Sequence, residues 1–143
     1  MTPDDLIPAI HAIVPDAKLV TAAGDVFFMH PDDPNLPLAT IVTGDNDWDN
    51  ASNLAREGVL RVNVGIDRDA FRDLFGDLPK WREPQDAGID FTRLDVLMPH
   101  PMYARLYWIS VLNPSPETLR SLRPQLELAF RLAAARVARR LAG

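Results

Sequence analysis

The chain has 143 residues, 47% of them hydrophobic, and no cysteine, which suits one domain with a single core and excludes disulfides, thiolate catalysis and cysteine metal sites. Twenty acidic against 15 basic residues leave a net charge of −5, a field that repels phosphate backbones and anionic membranes, so nucleic acid is not an expected partner. No run approaches the roughly 20 apolar residues of a membrane span, and the opening MTPDDLIPAI carries two acids where a signal peptide needs positive charge, so a soluble, cytoplasmic protein is expected.

Thr2 before Pro3 and two acids reads as an N-cap with proline at the first helical position, and Leu6, Ile10 and Ile13 then share a helical face that Pro8 is expected to shorten or bend. DVFFMH and LPLATIVTG are β-rich runs on either side of HPDDPNLP, a turn cluster, and predict a hairpin. After a polar loop, VLRVNVGI alternates Leu60, Val62, Val64 and Ile66 with Arg61, Asn63 and Gly65, the period of a half-buried strand. Asp67 caps DRDAFRDLFG, whose Ala70, Phe71, Leu74 and Phe75 form an apolar face closed by Gly76. A loop follows, then FTRLDVLM as a short strand or helix, and LYWISVL as a strand stopped by Asn113 and Pro114. Ser115 and Pro116 open a last helical region with Leu119, Leu122, Leu126, Ala129, Phe130, Ala133, Val137 and Leu141 on one stripe, and Pro124 predicts a break into a short helix and a long one. Strands between terminal helices predict an α+β domain, its antiparallel sheet covered on one face by the N- and C-terminal helices.

Metal, nucleophile and phosphate chemistries find little support. Asp45, Asp47 and Asp49 have the opening spacing of a calcium loop, but its sixth position is Asn50 where glycine is needed and its twelfth is Arg56 where a bidentate acid is needed. His30 and His100, each followed by proline, could join Asp32, Asp33 or Asp95 around a metal, yet no helical HxxxH or HExxH spacing exists, so no metal is expected. GxSxG, GxxxxGK and GxGxxG are all absent, and no cofactor is implied. Trp48, a large aromatic in a polar loop, should fold back on the sheet or else close over a ligand. Arg131, Arg136, Arg139 and Arg140 make the C-terminal segment basic, which matches cations facing the negative end of a helix dipole.

One convergence of polar and aromatic groups remains. Arg61 and Asn63 lie on the polar face of one strand, Trp108 and Ser110 share a face of a later one, and His100 and Tyr103 precede that later strand. If the two strands are neighbours these groups line one concavity; the same pattern also fits an ordinary solvent face with a few aromatics over it. The expected role is binding of a small organic or anionic ligand, with Arg61 fixing an anion, Asn63 giving a directional hydrogen bond, and Tyr103 and Trp108 supplying stacking area. The alternative is an enzyme in which His100 is the general acid or base, oriented by Asp95 or a backbone carbonyl. A weaker alternative is an interaction module for nucleic acid or protein using the last helix. Oligomeric state is left open.

Ser52, Asn53 and Leu54, then Gly58 to Asn63, Met98 to Pro101, Trp108, and Asn113 to Ser115 together resemble an uncharacterised bacterial family, Domain of Unknown Function 6194, over nearly the whole chain. Leu60 and Val62 depart conservatively from its pattern, and the resemblance implies no known activity. More distantly, the order of a histidine or tyrosine turn, a tryptophan strand, a proline-started helix and a long last helix is similar to the MmcQ/YjbR-like proteins. That implies a frataxin-like arrangement of sheet and terminal helices. DNA binding has been suggested for some of those proteins; the acidic balance here argues against it.

Overall fold

Thr2 starts the first helix as its spacing predicts. Its hydroxyl accepts from the Asp5 amide while the Asp5 carboxylate accepts from the Thr2 amide, so two donors at the helix end are satisfied reciprocally. The computed structural model describes residues 2–143, and this helix, α1, runs over Pro3–Ile13. Pro8 does not shorten it. The proline lies on the exposed side with Asp4, where the carbonyl left without its intrahelical donor meets water.

Next comes a strand that the sequence reading missed, β1 (Lys18–Ala22), paired antiparallel with β2 (Asp25–Met29). The β1 strand is a mostly exposed edge, so KLVTA has no buried face to impose alternation on its residues. The β1–β2 turn is set by Ala23 and Gly24, both at positive φ (53° and 87°), the two-residue geometry that matches strand twist. The HPDDPNLP turn joins β2 to β3 (Pro37–Val42), with proline at the first strand position, where no ladder donor is lost.

The alternating segment forms β4 (Arg61–Gly65), and α2 (Arg68–Phe75) follows at once, capped by the Asp67 carboxylate on the Ala70 amide at 3.0 Å and ended by Gly76 at φ 80°. FTRLDVLM contributes only its last residue to a two-residue strand, β5 (Met98–Pro99), beside β6 (Trp108–Leu112), and Leu94 to an isolated bridge with Leu112. The last region splits as Pro124 predicts, into α3 (Pro116–Ser121) and α4 (Arg123–Ala142).

These strands make one six-stranded antiparallel sheet in the order β1-β2-β3-β4-β6-β5. Its first face carries Val26, Phe28, Ile41, Val62, Val64, Ile109 and Val111, which pack with Leu6 and Ile10 of α1 and Leu126, Ala129 and Ala133 of α4 in one core. The architecture is therefore α+β, with both terminal helices on the same side, as the periodicity requires. Among the described residues no helix is long and apolar enough to cross a membrane. The opposite face carries Thr40, Arg61, Asn63 and Ser110 beside Leu112, and the segments 43–60 and 77–97 close over it. There Leu54 and Phe91 meet Met98 and Leu112 in a second, smaller core.

Leu126 is fully buried where α4 meets the sheet, whereas Leu141 on the same helix is 83% exposed. Leu126→Ala is expected to cost about 2–5 kcal/mol and Leu141→Ala less than about 0.5 kcal/mol in urea denaturation. Equal losses would contradict this placement of α4.

Candidate functional site

Arg61 is the largest side chain buried to less than 2% exposure, and its charge decides the arrangement around it. Strand alternation turns it away from the main core, onto the face under the 43–60 loop. A guanidinium held there out of water costs several kcal/mol unless it is paired and its donors are satisfied. Asp49, from that loop, accepts from both terminal nitrogens of Arg61, with Nη1 to Oδ1 at 3.1 Å. Nη1 also donates to Ser52 Oγ at 3.0 Å, and Nε donates to Asn63 Oδ1 at 2.8 Å.

Asn63 extends the network across the sheet. Its Oδ1 also accepts from Ser110 Oγ at 2.7 Å on β6, and its Nδ2 donates to Thr40 Oγ1 at 2.9 Å on β3. The strands carrying these residues are adjacent, and the register pairs Asn63 with both Thr40 and Ser110.

His100 abuts the network from the other side without a hydrogen bond to it. Its Nδ1 accepts from the backbone amides of Met102 and Tyr103, at 2.9 and 3.0 Å, so the neutral ring carries its proton on Nε2, 3.3 Å from Arg61 Nη2. Burial, then the Arg61 charge, push the imidazole from its ordinary 6.5 down to about 3, against a smaller opposing effect of Asp49. A second proton would go to Nδ1 and break both amide bonds. The ring is neutral at physiological pH.

Of the expected site residues, Arg61, Asn63 and His100 are thus brought together, but inside a closed cluster in which each has partners. Tyr103 is 43% exposed and stacks obliquely on His100 at 4.9 Å, and Trp108 meets the same imidazole edge-on at 6.5 Å. Trp108 lies over Gly65, where a Cβ would stand 3.0 Å from two indole ring atoms. Asp95, considered as the orienter of His100, instead accepts from the Ser115 amide at 2.8 Å, and the backbone amides of the Met102–Tyr103 turn hold the imidazole.

The open space lies next to this cluster. A cavity of about 490 Å³ is lined by Asp47, Trp48, Asn50 and Ala51 on one side, Glu83, Ile89, Asp90 and Phe91 on the other, and Met102 beside the His100 turn. Trp48 does not fold back on the sheet, because the Asp49–Arg61 pair and the Asn46 side chain, which accepts from the Trp48 and Asp49 amides, fix the loop with the indole outward and 70% exposed. Arg56 joins the two walls: it donates to the carbonyls of Ser52 and Asn53 and, across 36 residues, to that of Thr92 at 2.9 Å. Its contribution was missed because nothing local in the sequence marks the distant carbonyl it reaches. Among the described residues no three His, Asp or Glu side chains are grouped to hold a metal.

The fold and its network define a small α+β domain with helices on one face of an open sheet and a buried arginine cluster under loops on the other. Residues 1–142 match the model of a family described as "Family of unknown function (DUF6194)", and the chain belongs to that family. No curated protein and no solved structure matches it significantly, so the more distant MmcQ/YjbR-like likeness gains no support. The residues that carried the family resemblance fall largely on the frame just described: Ser52, Arg61, Asn63 and His100 are in the cluster, and Asn113 accepts from the Leu60 amide and donates to the Gly58 carbonyl.

Removing the Asp49 charge would leave Arg61 buried without a counter-ion. Asp49→Asn is expected to cost on the order of 3 kcal/mol, and adding Arg61→Met to it should recover part of that loss, as a double-mutant cycle in urea would show. The titration of His100 makes a second prediction. Its folded value lies below its unfolded one, so its contribution is fully present above pH 6.5 and lost as pH falls toward 3. Stability should fall with acidity by up to about 1.4 kcal/mol per pH unit between pH 6.5 and about 4.5, above most carboxylates. His100→Asn, whose Oδ1 can accept from the same amides, should flatten that slope; an unchanged slope would remove His100 as its source.

Proposed function

We propose that this protein binds a small organic cation in the cleft over the second face of its sheet. The observation that carries the reading is Trp48, a 70% exposed indole on an anchored loop, lining a cavity whose only charged lining residues, Asp47, Glu83 and Asp90, are acidic. A cation over an indole face gains roughly 0.5–2 kcal/mol. Three carboxylates around the same space add attraction at longer range. Ile89, Phe91 and Met102 offer apolar surface to the body of such a ligand.

In this reading Arg61, Asn63 and His100 act through the loops they hold, and Tyr103 and Trp108 brace the imidazole. An anionic ligand on Arg61 is disfavoured because Asp49 already occupies its fork. The enzyme reading, with His100 exchanging protons, is disfavoured for a related reason: a ring with its pKa near 3 is a weak base at neutral pH, its Nδ1 already accepts two backbone amides, and its protonated Nε2 faces Arg61.

Titration with choline and with tetramethylammonium, followed by tryptophan emission and by calorimetry, tests the proposal. Saturable binding is expected, weakened about tenfold by Trp48→Ala and reduced, with loss of its salt dependence, by Asp47→Asn with Glu83→Gln. No binding of either cation at millimolar concentration, or binding indifferent to Trp48→Ala, would overturn it.

A further inference from the structure

On the helix side of the sheet, the turn between β2 and β3 and the end of α4 border another, open cavity, about 440 Å³, lined by Asp33, Asn35, Leu36, Arg136, Arg139 and Arg140. Residues 136, 139 and 140 are three and four apart, so their guanidinium groups share one face of the helix, where like charges repel. Three positive groups meet one carboxylate. That carboxylate is largely spoken for: Asp33 Oδ1 accepts from the amides of Asn35 and Leu36, at 3.1 and 3.3 Å, and stands 3.8 Å from Arg140 Nη2.

A helix dipole accounts for cations in the last turn, Arg139 and Arg140, but not for Arg136 before it. Nor does it account for the state of the Arg136 Nε–H, which is buried and has no acceptor among the described residues. Buried donors without partners are rare because each forfeits a hydrogen bond it would make in water. Here the orphan belongs to a residue lining a cavity with surplus positive charge.

We propose that this cavity is a binding site for a small phosphate or phosphate ester. Arginine forks match the oxygens of a phosphoryl group, and an oxygen bridging the terminal nitrogens of Arg136 and Arg139 or Arg140 would relieve the repulsion along the helix. The Asn35 side-chain carboxamide adds a polar contact, and the half-exposed Leu36 side chain offers an apolar wall to an organic substituent. The site takes a single small anion because the molecule around it is acidic, with a net charge of −5 that opposes any extended polyanion. It shares no residue with the Trp48 cleft and stands or falls independently of it.

Calorimetric titration of the full chain with inorganic phosphate and with phenyl phosphate provides the test. One-to-one binding is expected, weakened about tenfold by Arg136→Lys, which keeps the charge but removes the fork, and by Arg139→Gln, with melting temperatures unchanged; Arg123→Gln, at the other end of α4, should bind as the parent does. Tighter binding of phenyl phosphate would assign the site to an ester, and equal affinity to free phosphate. Absence of binding to both at millimolar concentration, affinity unaffected by Arg136→Lys, or a preference for duplex DNA over phenyl phosphate would overturn the proposal.

Discussion

A guanidinium cannot be taken out of water alone, and the polar half of this protein is organised by that constraint. Arg61 is on a central strand by alternation and is nearly inaccessible, so the chain must deliver acceptors to it. Asp49 and Ser52 come from the preceding loop, Asn63 from two positions along the same strand. The loop is thereby drawn down onto a sheet face that would otherwise be open, and Leu54 and Ala51 are carried with it into the second core. Arg56 then fastens the segment around Thr92 to that loop, and the cleft is the space left between the two walls.

The same constraint explains how a histidine between two prolines behaves. His100 is held by two amides of its own turn, and next to a buried cation it has every reason to stay neutral. Rigid flanking prolines, which in the sequence suit presentation of a working group, also suit a ring that plugs the end of a polar network. The neighbouring aromatics follow: Tyr103 covers the imidazole, and Trp108 reaches its edge by lying over Gly65, the one position on β4 without a side chain.

The Trp48 cleft and the arginine-lined cavity differ in sign, and each owes its charge to elements brought together late in the chain's path. Acids at 47, 83 and 90 meet beside Trp48 because loops 36 residues apart are joined by Arg56. Arginines at 136, 139 and 140 meet the β2–β3 turn because α4 runs back over β3 and β4. A chain with an acidic balance overall can thus carry a local basic site, which net charge conceals.

What the sequence determined by itself is whatever follows from near neighbours along the chain. The Thr2 and Asp67 caps, the alternation from Leu60 to Ile66, the stop at Asn113 and the break at Pro124 are local matters of propensity, period and missing donors, and with them came the α+β class. The strand Lys18–Ala22 escaped because an exposed edge leaves no periodic trace. The convergence of Arg61, Asn63, Ser110 and His100 was legible only as a condition, since it depended on β4 and β6 being neighbours. Tertiary structure alone decided which of three loop aspartates would neutralise Arg61, that the converging groups would close on one another instead of lining a concavity, and that Trp48 would stay outside. Those outcomes turn on where a buried charge finds its partner, and the partner is chosen by distance in space, which a linear order of residues does not contain.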